Sequence, residues 1–405
     1  MNFQTAKQYC DMILDGTAPY ILDDEGKYPD GAVFEFIGGE PLLQVELIDE
    51  ICNYLISKMI ELNHPWLFRF RFSISTNGTL YFTPAVQNFI KKYSSWLSLN
   101  ITLDGNKELH DTCRLFANGQ GSYDIVKKAV DAHRKIDPNM GTKLTISPEN
   151  ISYLFDAVKN FIDMGFSVIH LNCVFEKGWE YKHATILYNQ LITLANYMFE
   201  NKLFDKVYVS MFDEHLFFRL PDSETNNWCG GNGKMLALDW KGDYYPCIRY
   251  MESSLGPNIT PLKIGNINTG IGTSETEQKI IEELKNVTRQ SQSTTECLNC
   301  PINAGCAWCS GYNYQEFGTV NKRATYICIM HKARALANVY FFNSAYIFYN
   351  IPRQFKLNLP KEEAIKIIDE KEYEKLKFLE QMAADERRLL FDNSIEYMSN
   401  LMMRE

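Results

Sequence analysis

The chain has 405 residues, 45% hydrophobic and 22% charged, which are values of a globular protein and exclude wholesale disorder or a fibrous repeat. Its 41 basic and 50 acidic side chains leave a net charge of −9, which argues against a nucleic-acid partner because phosphate binding needs a concentrated basic face. No apolar run is long enough to predict a membrane span, and Met1–Lys7 lacks a secretion-signal layout, so a cytoplasmic location is expected.

Thr5 to Leu14 reads as a helix with no strand before it. Ala32 to Ile37 reads as a strand, and Leu42 to Ile60 as a long amphipathic helix. Further strands are predicted at Phe68–Ser75, Leu97–Leu103, Lys143–Ser147 and Val168–Val174. Helices are predicted at Thr83–Lys92, Tyr123–Lys135, Asn150–Met164 and Thr185–Glu200. Five strands alternating with helices predict a parallel sheet with right-handed crossovers and helices outside.

The pattern changes near Leu220-Pro221-Asp222-Ser223. From there to about Ile327 come short strands, Gly/Asn turns and cysteines, with too little periodicity for a conventional core. Such a segment relies on metal or cross-links. A turn at Gly270–Glu275 leads into a helix near Ile280–Leu284, and helical patterning returns at His331–Tyr346 and Lys361–Met402. The charged last stretch is expected to be a solvated docking pair of helices.

Seven of the eleven cysteines lie between Cys229 and Cys328. In a chain with no secretion signal, such a cluster reads as metal binding rather than disulfides. A zinc ribbon would separate its two Cys-x-x-Cys knuckles by ~15–20 residues. Cys297-Leu298-Asn299-Cys300 and Cys306-Ala307-Trp308-Cys309 are only five residues apart. That compact spacing favours an iron–sulfur cluster, with zinc as the alternative.

The run Cys229-x(12)-Gly242-x(4)-Cys247, then Cys297, Cys300, Cys306, Cys309 and Cys328, resembles the SPASM domain of radical S-adenosylmethionine (SAM) enzymes. It leaves two residues before Cys309 where the family more often has three. The resemblance implies two auxiliary [4Fe–4S] clusters. Cys297, Cys300, Cys306 and Cys328 would hold one; Cys229, Cys247 and Cys309 would hold the other, with a fourth ligand from elsewhere or an open site.

Phe36-Ile37-Gly38-Gly39-Glu40-Pro41 follows a strand and opens a helix, and it resembles the family's segment for the methionyl amine of S-adenosylmethionine. Gly38 and Gly39 permit close backbone approach, and Glu40 supplies an acceptor for an ammonium group. Ser75-Thr76-Asn77-Gly78 and Thr102-Leu103-Asp104-Gly105 close the next two strands, at the edge where open α/β sheets and barrels place ligands. By resemblance Asn77 is a cofactor contact, Thr102 a ribose contact and Arg114 a carboxylate contact. Asp104, Asp243 and Glu176 are each possible bases.

The Cys-x(3)-Cys-x(2)-Cys loop that holds the radical-generating cluster of this family is absent from the 405 residues. Cys10, alone in a predicted helix, is expected to be a packing residue. The expectation is therefore an N-terminally truncated protein. It would comprise a partial (β/α)6 radical SAM barrel lacking its first strand at 1–205, a SPASM domain at 220–330, and C-terminal helices at 331–405. S-adenosylmethionine and a third [4Fe–4S] cluster would be used only with the missing segment. Texture around Val33–Leu47 and Leu144–Asn150 is most like peptide maturases of the Cys-x-x-x repeat group, which install thioether links. The implied partners are a precursor peptide or protein and an electron donor such as ferredoxin or flavodoxin, with no membrane. Sulfatase-maturing enzymes, and a non-catalytic iron–sulfur protein that binds peptides or passes electrons, are the alternative readings.

Overall fold

The computed structural model describes residues 1–23, 25–225, 229–349 and 354–385. The first part of the chain alternates helix and strand: α1 (Phe3–Leu14), β1 (Ala32–Phe36), α2 (Val45–Glu61), β2 (Phe70–Thr76), α3 (Pro84–Tyr93), β3 (Leu97–Ile101), α4 (Lys107–Cys113) and α5 (Tyr123–His133). It continues with β4 (Thr142–Ile146), α6 (Leu154–Asp163), β5 (Val168–Cys173), α7 (Tyr181–Glu200) and the short β6 (Tyr208–Val209). The five expected strands are present, but they do not form one sheet. Among the described residues they make two parallel three-stranded sheets, β1-β2-β3 and β4-β5-β6, and the sixth strand was not predicted because it pairs over only two residues.

Alternation along the strands sets what each sheet faces. Phe72, Ile74, Leu99 and Ile101 are buried, as are Ile48, Cys52 and Leu55 of α2 and Phe89 and Tyr93 of α3, all in one apolar core. Their neighbours Arg71, Ser75, Ser98 and Asn100 are exposed on the other face. The second sheet repeats the plan: Leu144, Ile146, Ile169 and Leu171 are buried, while Lys143 pairs with His170 and Thr145 with Asn172 on an exposed face. Parallel sheets ordinarily have both faces covered and read as continuous apolar runs. Here each keeps one polar face open to solvent.

The cysteine-rich part contains a four-stranded antiparallel sheet in the order β10-β9-β8-β7, built from β7 (Ala237–Leu238), β8 (Asp243–Tyr245), β9 (Gly265–Asn266) and β10 (Gly270–Ile271). Helices α8 (Glu275–Lys285), α9 (Arg289–Gln292), α10 (Thr295–Asn299) and α11 (Ser310–Phe317) follow. Its buried apolar clusters are small: one of Tyr245, Cys247, Tyr250, Leu284, Val287 and Val320, and one of Tyr20, Tyr244 and Ile264.

The residues after 331 share the main core. Helix α12 (Cys328–Tyr349) packs on α7, with Phe341 stacked on Phe199 and Phe212 at 5.3 and 4.1 Å between ring centroids. Buried Asn338 accepts from Asp213 N at 2.8 Å and donates to Met211 O at 2.9 Å, so the helix is tied to the chain just beyond β6. Leu359, Ile367 and Leu376 join the same core, through α13 (Lys361–Ala364) and a helical stretch at 370–385. The expected docking pair is thus partly core; residues 386–402 of that expectation lie outside the described residues. No helix among the described residues is long and apolar enough to cross a membrane.

Gly105, in the turn after β3, has φ +70°, and a Cβ there would lie 2.6 Å from Ala157 Cβ. Gly105→Ala should therefore cost about 2 kcal/mol or more in urea unfolding. Gly38 has open space where its Cβ would go, and Gly38→Ala should stay within about 0.5 kcal/mol.

Candidate functional site

The C-terminal edge of β1–β2–β3 gathers every cofactor contact expected from the sequence. Gly38 and Gly39 follow β1 in an exposed loop with nothing within 4 Å of where either Cβ would stand. Glu40 follows and is held by three donors: Leu42 N at 3.0 Å, Thr76 Oγ1 at 2.6 Å and Asn77 N at 2.8 Å. A carboxylate offers about four acceptor sites, so this one is fixed in place with about one to spare for a cation. Asn77 caps its own turn, its Oδ1 accepting from Thr79 N at 2.9 Å and Thr79 Oγ1 at 2.7 Å. Thr102 N donates to Thr76 O at 2.9 Å, which sets the third strand end beside the second.

Arg114 is the C-cap of α4 and pairs through Nε with Asp104 Oδ2. That contact uses one of five guanidinium N–H groups and leaves the paired Nη nitrogens able to receive a carboxylate. Behind the pair sits fully buried His110, part of the family-like run from Leu103 to Arg114 but given no role from the sequence. Its Nδ1 accepts from Asp104 N at 3.2 Å, so the proton is on Nε2, which lies 3.0 Å from Ser122 Oγ. Ser122 Oγ in turn donates to Arg114 O at 2.8 Å. The imidazole thus fixes both members of the ion pair. Burial holds its pKa below the ordinary histidine value, although Asp104 pulls the other way.

The other possible bases are engaged. Asp243 pairs with Lys263 at 2.8 Å and accepts from Asn266 Nδ2 at 2.7 Å. Burial alone would raise its pKa, but these partners outweigh burial and hold it below the usual range. Glu176 Oε1 lies 3.5 Å from Arg249 Nη2.

The seven clustered cysteines fall into two neighbourhoods. A Cβ built on Gly231 would lie 3.2 Å from Cys247 Sγ and 3.6 Å from Cys229 Sγ. Gly242 (φ +86°) makes the β7–β8 turn that sends the chain back to Cys247. Cys247 Sγ accepts from Arg249 N and Cys309 Sγ from Tyr312 N, both at 3.4 Å. Gly311 lets those two turns meet, since a Cβ there would lie 2.5 Å from Arg249 Cβ. Burial pushes the Cys247 thiol up to about 12, and charge on Cys309 and Cys229 adds to the rise. In the second neighbourhood burial pushes Cys328 up to about 12, Lys332 opposes, and Cys306, Cys300 and Cys297 add to the rise. Cys306 is raised by burial, against Arg323, and by Cys297 and Cys300. Cys10, Cys52 and Cys173 are buried apart from these sets, and Cys113 is exposed.

The donor chemistry fits an iron–sulfur group in each neighbourhood. The Asn232 side chain, in the turn after Cys229, has no hydrogen-bond partner among the described residues. Among the described residues no three His, Cys, Asp or Glu side chains converge tightly enough for one metal ion.

No family model matches the chain. It is 27% identical over 271 residues to an uncharacterized protein of Methanocaldococcus jannaschii, covering 66% of this chain and 79% of that one. It is also 27% identical over 292 residues to a cysteine-type anaerobic sulfatase-maturating enzyme of Clostridium novyi, covering 66% and 70%. Among solved structures, the enzyme anSMEcpe with bound AdoMet superposes with a TM-score of 0.58 at 17% identity, over 83% of this chain and 87% of that one. The same enzyme with AdoMet and the Kp18Cys peptide gives 0.59 at 18% identity, over 87% and 91%. The fold is shared with anSMEcpe.

Four buried histidines make acid stability a direct readout of this packing. Burial lowers the pKa of His64, His110 and His133, and that of His331 to about 3. Above the ordinary histidine pKa both folded and unfolded forms are neutral. Below it only the unfolded form takes the proton, so stability falls as pH drops. Each histidine that stays neutral should remove about 1.4 kcal/mol per pH unit below ~6.5. Urea midpoints should therefore fall steadily between pH 7 and pH 5.

Proposed function

We propose that this chain is the scaffold of a radical SAM enzyme that modifies a ribosomally made peptide or protein. The observation that carries this reading is one sheet edge on which Gly38–Gly39–Glu40, Asn77, Thr102 and Arg114 come together, next in the chain to a segment with two thiolate sets. Glu40 receives the cofactor's ammonium, Arg114 its carboxylate and Thr102 its ribose, with Asn77 alongside. Cys297, Cys300, Cys306 and Cys328 hold one [4Fe–4S] cluster, and Cys229, Cys247 and Cys309 hold a second. Such clusters supply electron transfer or substrate coordination when bound. His110 holds Arg114 and Asp104 in register. The open polar faces of the two parallel sheets, Ser75 and Asn100 on one and Thr145 and Asn172 on the other, admit a polar substrate segment.

The substrate is a Cys-containing precursor that receives a thioether or related cross-link. Sulfatase maturation is the second reading, favoured by the Clostridium novyi relative and by the shared fold. Mass spectrometry of a Cys-containing precursor and of a sulfatase-type peptide, each incubated with the chain extended by a segment carrying the family's Cys-x(3)-Cys-x(2)-Cys loop, separates the two.

Anaerobically reconstituted protein should hold about eight irons per chain with equal sulfide, as two cubes of four. Cys300→Ala should lower this to about four. Stoichiometric zinc without sulfide would overturn the assignment. The 405 residues contain no Cys-x(3)-Cys-x(2)-Cys loop, so under dithionite they should form no 5′-deoxyadenosine from S-adenosylmethionine. Its formation would show that one of the two cysteine sets takes that role.

A further inference from the structure

The N-terminal end of β1–β2–β3, opposite the edge that gathers Glu40 and Arg114, carries a groove of about 470 Å³ whose walls include Val33, Phe68, Arg69, Arg71, Ser95 and Trp96. Its apolar walls face water: Phe68 is 91% exposed, Val33 67% and Trp96 38%. Large apolar side chains grouped in water mark a contact surface. These walls are set before anything binds. Ala32 N donates to Arg69 O at 3.0 Å, an approach that Gly31 permits, since a Cβ there would lie 2.5 Å from the same oxygen. Phe72 N donates to Trp96 O at 2.9 Å, and the indole stacks on buried Phe70 at 6.0 Å between ring centroids. Among the described residues two guanidiniums and no carboxylate line the groove. Arg71 gives one N–H to Ser95 O, and Arg69 meets the exposed carboxylate of Asp30 at 3.7 Å. A guanidinium has five N–H donors, so most of theirs are open to an anion.

We propose that this groove anchors an acidic segment of the peptide substrate, with carboxylates on Arg69 and Arg71 and apolar neighbours against Val33, Phe68 and Trp96. The inference rests on the peptide-modifying reading above and names a substrate class for it: a precursor with Asp or Glu among apolar residues. Arg71 opens the row of outward side chains that runs through Ser73 to Ser75 on the open face of β2. It stands six residues before Asn77, so at ~3.3 Å per residue the groove lies about 20 Å from the edge proposed for the cofactor. An extended peptide on that face covers the distance with about six residues. The acidic segment therefore sits about six residues from the one presented at that edge, far enough to contribute binding without touching the chemistry.

The test is calorimetric titration of the reconstituted full chain with the probe acetyl-Cys-Ser-Gly-Ser-Gly-Leu-Glu-Leu-Glu-amide. Exchanging both Glu for Gln should weaken binding about tenfold or more, since carboxylate–guanidinium bonds are charge-assisted. Arg69→Gln and Arg71→Gln, both at exposed positions, should each weaken it several-fold and leave the melting temperature unmoved. Added salt should lower the affinity of the Glu probe. Amide hydrogen exchange with the probe bound should slow at 68–71 and 95–96. No binding to the folded parent overturns the proposal, as does equal affinity for the Gln probe or affinity unmoved in the double variant. Full affinity of a Gln probe with a free C-terminal carboxylate overturns the acidic segment in favour of a chain terminus. A parent that sediments as a dimer, dissolved by the double variant, overturns it too, because a second copy then fills the groove. Probe binding as expected, with neither a Cys-containing precursor nor a sulfatase-type peptide modified by the extended chain, overturns the peptide-modifying reading. A modified precursor whose binding ignores Arg69 and Arg71 overturns this inference alone.

Discussion

The desolvation of thiolates governs the second half of this molecule. A thiol must lose its proton to bind metal, yet burial has pushed Cys247 and Cys328 up to about 12. The cations within reach are few: Lys332 and Arg334 on α12, Arg323 before it, and Arg249 after Cys247. Under the proposed reading, the charge of a metal centre is what offsets that cost. The apolar clusters around them are small, so under that reading metal binding and folding of this segment would be coupled.

The first half depends on a different economy of groups. At the edge of β1–β2–β3 the side chains proposed to meet the cofactor have their rigidity supplied by neighbours. Thr76 and the Asn77 amide hold Glu40, Asp104 holds Arg114, and neutral His110 holds Asp104 and, through Ser122, the carbonyl of Arg114. Binding then finds its groups already oriented, which lowers the ordering cost of association. Protonating His110 on Nδ1 would break the bond from Asp104 N, so burial of that ring protects the geometry of the ion pair in front of it.

Much of this was legible in the sequence, and the omissions have physical causes. Phe70-Arg71-Phe72-Ser73-Ile74-Ser75 alternates as a half-covered strand does, a sign of the open polar face that the expectation of a parallel sheet with helices outside did not take up. It could not say which strands bond to which, and the single expected sheet proved to be two. Helix α4 was passed over because seven residues with only one buried apolar side chain, Leu109, carry little periodicity, although Asn106 is a proper cap for it. The grouping of cysteines came from motif resemblance, since spacing alone does not say which sulfurs meet.

The two halves are joined where the chain leaves β5. Three consecutive residues each take a partner in the cysteine-rich part: Phe175 stacks on Tyr312 at 6.3 Å, Glu176 faces Arg249, and Lys177 pairs with Glu316. Arg249 and Tyr312 are also the residues whose backbone N–H groups donate to Cys247 Sγ and Cys309 Sγ. The strand end that borders the open polar face is therefore one side chain away from the sulfur donors of the first set. The end of β5 and the turns of the first cysteine set are in this way joined by direct contacts that involve neither Glu40 and Arg114 nor the cysteine side chains of the second set.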